Sequence, residues 1–186
     1  MNTPLHVAAQ ARDHNEVVRQ VAAGAAIDAC NYRKYTPLHV AAGIGAADMV
    51  AYLLSAGANP SARTTFETTA LHEAASGGGR APARARLDII DDLLAGGCPI
   101  DAVDSTGRTA LWYAAASGTT QFPADERATR YLVLEHLLAR GADPTIAASS
   151  TQGRPVDAAQ GLHQPRRYRF VWIDAVDLLQ GARPPD

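Results

Sequence analysis

A heptad, TPLHVAA, stands at Thr3 and again at Thr36, and it returns as TALHEAA at Thr69 and TALWYAA at Thr109. The first two steps, 36 − 3 and 69 − 36, are both 33 residues, and a faded copy, RPVDAAQ, begins at Arg154. Such a chain must be read as an array. Each repeat carries an apolar face that only a neighbouring repeat can cover, and stacking builds the core. The expected repeats are about 3–35, 36–68, 69–108, 109–153 and 154–183, in one domain over 1–186.

Residues 36–57, TPLHVAAGIGAADMVAYLLSAG, show how one unit should fold. Thr36 followed by Pro37 is a helix start, the hydroxyl capping and the proline at the first helical position. Leu38, Val40, Ala41 and Ala42 leave little bulk, so short inner helices can stack closely. A turn over residues 43–46 follows. Met49, Val50, Leu53 and Leu54 then mark one apolar face of an outer helix, and Gly57 sits where a left-handed residue ends it. The Leu-Leu-x-x-Gly ending recurs at Leu93 and Leu137.

A 33-residue period carrying T-P-L-H-x-A resembles the ankyrin repeat. The resemblance implies a mainly α solenoid of helix-turn-helix units, with a β-hairpin-like turn between repeats whose tip faces the partner. It also makes His6, His39 and His72 structural hydrogen-bonding residues, not metal ligands. Trp112 and Asp157 take that place in the fourth and fifth copies. The hairpin tips would be residues 31–35, 64–68 and 104–108. Asp104 and Gly107 suit such a turn, whereas Lys34 and Glu67 replace its glycine. Tyr32, Arg33, Tyr35 and Phe66 put large side chains on the other two tips, and rings and arginines of this kind supply interface hot spots.

The period lengthens in the second half, to 40 residues from Thr69 to Thr109 and 45 from Thr109 to Arg154. Most of the extra falls between inner and outer helices, at residues 77–87, 119–129 and about 162–170. Equivalent turns of stacked repeats lie side by side, so these segments should form one ridge. It would carry Arg80, Arg84, Arg86, Phe122, Arg166, Arg167, Tyr168 and Arg169, offset by Asp125 and Glu126, and could meet an acidic partner surface.

In the first repeat Glu16 and Gln20 replace the apolar residues Met49 and Leu53, as a solvent-facing end repeat would require. The sequence is then expected to begin where the fold begins. Cys30 and Cys98 lie about two repeats apart, too far for a disulfide. Cys98 should be a small buried residue. A net charge of −2 with 19% charged residues points away from a general polyanion binder. No basic leader precedes an apolar core and no apolar run approaches the ~20 residues of a membrane span, so a cytoplasmic protein is the default.

No Gly-rich loop follows a strand, and GxSxG, HExxH and CxxC are absent from the sequence. The expectation is a non-catalytic, cofactor-free and metal-free protein binder, monomeric when free. Its partner would be another protein, met through Tyr32, Arg33, Tyr35, Ile44, Phe66, Ser105, Thr106 and Arg108, with the ridge as second contact. Ile44 enters because the family's ligands commonly touch the end of an inner helix. An inhibitor or immunity-type antagonist suits a short binder. The alternatives are a scaffold joining two proteins, or an arginine-ridge binder of nucleic acid or another polyanion.

Overall fold

Thr3, Thr36 and Thr69 each open an inner helix, and the same three-residue device holds all three. The Thr N–H and hydroxyl both turn to Nδ1 of the histidine three residues on: the N–H lies 3.3, 3.2 and 3.1 Å from it in the three copies, the hydroxyl 2.7, 2.9 and 2.9 Å. Nδ1 is thus the acceptor, and the ring proton sits on Nε2. From there His6 donates to the Tyr35 carbonyl at 2.7 Å and His39 to the Thr68 carbonyl at 3.3 Å, tying each helix start to the end of the next turn.

The computed structural model describes residues 1–77, 81–116, 124–148, 153–155, 157 and 173–181. The chain forms two compact units, Met1–Pro99 and Ile100–Asp186. The described residues are helical and contain no strand.

In the first unit α1 (Pro4–Gln10), α3 (Pro37–Ile44) and α5 (Ala70–Ser76) pack side by side as an inner row. The outer row is α2 (His14–Ala22), α4 (Ala47–Ser55) and α6 (Ala83–Ala95). Leu5, Leu38 and Leu71, spaced by the repeat, are buried between the rows, as are Val17, Val50 and Ile90 in the outer helices. Burying each such side chain contributes about 1.5–3 kcal/mol. Gly57 takes φ +95 after α4, and the Ala58 N–H closes on the Leu53 carbonyl at 2.9 Å. A side chain there would be strained.

The first outer helix buries only Val17. Glu16 instead accepts from Arg19 Nε at 2.9 Å and from Gln20 Nε2 at 2.8 Å, a polar surface where α4 has Met49 and Leu53 in the core. Both cysteines are free, Cys30 exposed and Cys98 buried with its thiol 3.7 Å from the Thr69 hydroxyl.

In the second unit α7 (Ala110–Ala116) pairs with α8 (Ala124–Ala139), and α9 (Ile173–Gly181) packs on α8. Leu111, Val133, Leu134 and Leu137 repeat the core pattern. The inserted segments differ from the expected turns. Residues 83–87 are the first turn of α6, and residues 124–129 open α8. Ala, Arg and Leu favour helix, and Pro82 stands just before the first helical residue, where its missing N–H costs nothing. Part of the extra length therefore lengthens the outer helices.

Candidate functional site

Asn31, Thr64 and Asp104 begin turns of one design. In each the first residue's N–H reaches the carbonyl four residues on, Tyr35, Thr68 or Arg108, at 3.0, 3.0 and 2.9 Å. The first residue's side-chain oxygen accepts the N–H groups two and four residues ahead: Arg33 and Tyr35 on Asn31, Phe66 and Thr68 on Thr64, Thr106 and Arg108 on Asp104. The fourth residue is left-handed in all three, at φ 58 for Lys34, 60 for Glu67 and 81 for Gly107. Glycine takes that conformation freely, whereas a residue with a Cβ loses about 1 kcal/mol.

In the first unit the Thr65 N–H donates to the Arg33 carbonyl at 3.0 Å, so the first two tips are joined. Tyr32 is 71% exposed and Phe66 55%, with the Arg33 guanidinium 5.3 Å from the Tyr32 ring centre. Among the described residues these two are the large aromatic rings left mostly in water.

Beneath the tips the inner helices line an open groove of about 360 Å³. Its walls come from equivalent places in successive repeats: Asn2 and Tyr35; Gln10, Gly43 and Ser76; Val40 and Glu73. Asn31, His39 and Ile44 complete the lining. Ile44 is half-buried and its carbonyl accepts from the Arg12 guanidinium.

Glu73 is the acid in this groove. Its Oε1 accepts the Tyr35 hydroxyl at 2.9 Å and the Thr68 hydroxyl at 3.3 Å. Burial raises its pKa, and those two hydrogen bonds offset the rise only in part. Burial, together with the neighbouring Glu73, pushes the Tyr35 phenol up to about 12. The phenol is therefore a donor at any ordinary pH. Among the described residues Glu73 has no ion pair.

A family profile of ankyrin repeats in three copies matches residues 5–84. Residues 5–84 belong to the ankyrin-repeat family. The match covers the inner and outer helix pairs of the first two repeats, and the third through the start of α6. No curated protein matches the chain. Ankyrin repeats are a protein-binding module, and the groove and the first two tips are built from them.

The ankyrin repeats hold Tyr32, Arg33, Tyr35, Ile44 and Phe66 within the first unit, with Tyr35 and Ile44 in the groove and the other three exposed on the tips. Ser105, Thr106 and Arg108 lie in the second unit, Ser105 exposed and the other two half-buried. Arg108 is engaged: its Nε and guanidinium nitrogen meet Asp104 at 2.8 and 2.7 Å, and it stacks 4.7 Å from the Tyr113 ring centre and 5.2 Å from that of Trp112. Trp112, in the place that histidine takes in the earlier heptads, is 5% exposed.

Of the expected ridge, two arginines fall on described residues. Arg84 is exposed and paired with Asp88 at 2.9 Å, four residues along α6. Arg86 departs from the expected exposed ridge, being 3% exposed with its guanidinium packed where a side chain at Gly77 would have to be. The helical start of α6 is the cause, because it turns Arg86 inward one turn before Ile90. Arg80, Phe122, Arg166, Arg167, Tyr168 and Arg169 lie outside the described residues, as do the side chains of Asp125 and Glu126.

Glu73 was not singled out in the sequence. The signal was present, since TALHEAA carries an acid where the heptads at Thr3 and Thr36 carry valine.

Proposed function

We propose that this ankyrin array acts by covering the surface of a partner protein, as an inhibitor or immunity-type antagonist, with the tips and groove of the first unit as the contact face. The observation that carries the reading is the pair of exposed rings, Tyr32 and Phe66, on two tips joined by a backbone hydrogen bond. Folding alone would not place rings there, and both turns also keep a left-handed Lys34 or Glu67 in place of glycine. A rigid, pre-formed edge with aromatic anchors limits the ordering lost on binding. The array is proposed to continue through the fourth and fifth repeats as one domain, with the arginine-bearing segments as a second contact, in a cytoplasmic protein that is monomeric when free.

The polyanion reading has less behind it, since Arg84 is paired with Asp88 and Arg86 is buried. Affinity capture from native lysate with mass-spectrometric identification tests the choice. The captured protein should be lost when Tyr32→Ala and Phe66→Ala are combined, and it should survive moderate salt. Nucleic acid captured in its place, released steeply by salt and indifferent to the tip variant, would overturn the proposal.

A further inference from the structure

Glu73 poses a question that folding does not answer. Its Oε1 is occupied by two hydroxyls, and Oε2 has no partner among the described residues. It lines the groove with Tyr35 and Ser76, beside Gly43. A methyl group at Gly43 would just touch it, 3.8 Å from Oε2 and 3.7 Å from Glu73 Cβ, so the glycine leaves room beside that oxygen on the groove wall. A half-buried carboxylate without a counter-ion destabilises the chain that carries it, and burial indeed raises its pKa. The surrounding groove supplies what a basic side chain needs. Val40 and Ile44 offer apolar surface for an aliphatic stem, and the Gln10 amide adds an acceptor to the lining.

We infer that the groove is a pocket for one lysine or arginine side chain of the partner protein, seated with its cationic head on Glu73 Oε2. This deepens the reading of the tips and groove as a protein contact face and rests on it. The tips would supply the aromatic anchors, and Glu73 would select a partner with a basic residue at the matching place. A charge pair formed only in the complex adds specificity, because a partner lacking the cation leaves the carboxylate desolvated and unpaired.

The test uses N-acetyl-arginine amide and N-acetyl-lysine amide as probes on the full chain, with N-acetyl-citrulline amide as neutral control, read by amide chemical shifts in NMR. The expected result is saturable shifts at Gly43, Ile44, Glu73 and Ser76 in the millimolar range, absent with citrulline. Glu73→Gln keeps an acceptor for Tyr35 and Thr68 and should weaken the response roughly tenfold or more. Gly43→Leu keeps the charge, blocks Oε2 and should abolish the response. Equal shifts from citrulline, no saturable shift at those amides, or a Glu73→Gln chain that responds like the parent would each overturn the pocket. In the lysate capture, loss on the tip variant but retention on Glu73→Gln would sink the pocket and leave the contact face standing. Retention on both would sink the two together.

Discussion

Two carboxylates, Glu73 in the first unit and Asp104 in the second, lie beside turns of the same design and are perturbed in opposite directions. Burial pushes both upward. At Asp104 the backbone and side chain of Arg108, with the Thr106 and Tyr113 hydroxyls, more than reverse that and hold it well below the usual carboxylate range. At Glu73 only the Tyr35 and Thr68 hydroxyls answer, and the pKa stays raised. One acid is completed by its own chain and the other is not. The turns follow suit: residues 104–108 use Gly107 and draw Arg108 inward, whereas residues 31–35 and 64–68 tolerate a left-handed Lys34 and Glu67 and hold Tyr32 and Phe66 outward. The turn at residues 104–108 serves the fold, and the other two carry groups that the fold does not use.

The largest effect should come from separating these acids by substitution. Asp104→Ala removes the acceptor for two turn N–H groups and the carboxylate that Arg108 meets, and is predicted to cost about 3 kcal/mol in urea unfolding. Glu73→Gln should change stability by less than about 1 kcal/mol, or raise it, because it removes an unpaired charge. Similar losses at both positions would erase the contrast.

The pH dependence sharpens it next. Burial pushes His39 down to about 4, against roughly 6.5 in an unfolded chain. Protons then favour the unfolded state, so this stabilisation is intact above about pH 6.5 and is lost as pH falls toward 4, on the order of 3 kcal/mol. Hydrogen exchange of the α3 amides should show the decline, and α7, where Trp112 replaces the histidine, has no such term. Glu73 adds the reverse sign. Its raised pKa favours folding at pH below the unfolded value, and that gain is lost as pH rises through the folded value. Glu73→Gln should therefore gain on the parent as pH rises, and a stability difference flat from pH 4 to 8 would contradict the raised pKa.

Much of this was legible in the sequence, and the reason is periodicity. A 33-residue spacing of Thr-x-Leu-His fixes where inner helices start, which leucines are buried and where the turns lie, since each copy restates the same local chemistry. What a repeat alone could not say is how its departures resolve. Arg86 read as a loop arginine because residues 77–87 looked like an inserted turn, but the helix propensity of ARARL extended α6 and turned that side chain inward. Arg108 read as a free tip cation because Asp104 was seen only as a turn former. Glu73 was hidden by its neighbours, its heptad otherwise matching the others closely enough to pass as a copy.

Smaller effects follow at the turns. Tyr32→Ala and Phe66→Ala should leave unfolding nearly unchanged and each weaken partner binding by about 2 kcal/mol in calorimetry, as hot-spot rings do. Lys34→Gly and Glu67→Gly should each stabilise the first unit by roughly 0.5–1 kcal/mol by relieving the left-handed conformation, and Gly107→Ala should cost about as much. A loss at both glycine substitutions would mean that the Lys34 and Glu67 side chains hold their turns.

Amide hydrogen exchange of the chain with and without its captured partner tests the central claim most directly. Protection on binding should concentrate at residues 31–35 and 64–68 and along α3 and α5, where tips and groove meet. Protection confined to the outer helices α2, α4 and α6, with the tips exchanging as they do in the free chain, would contradict it.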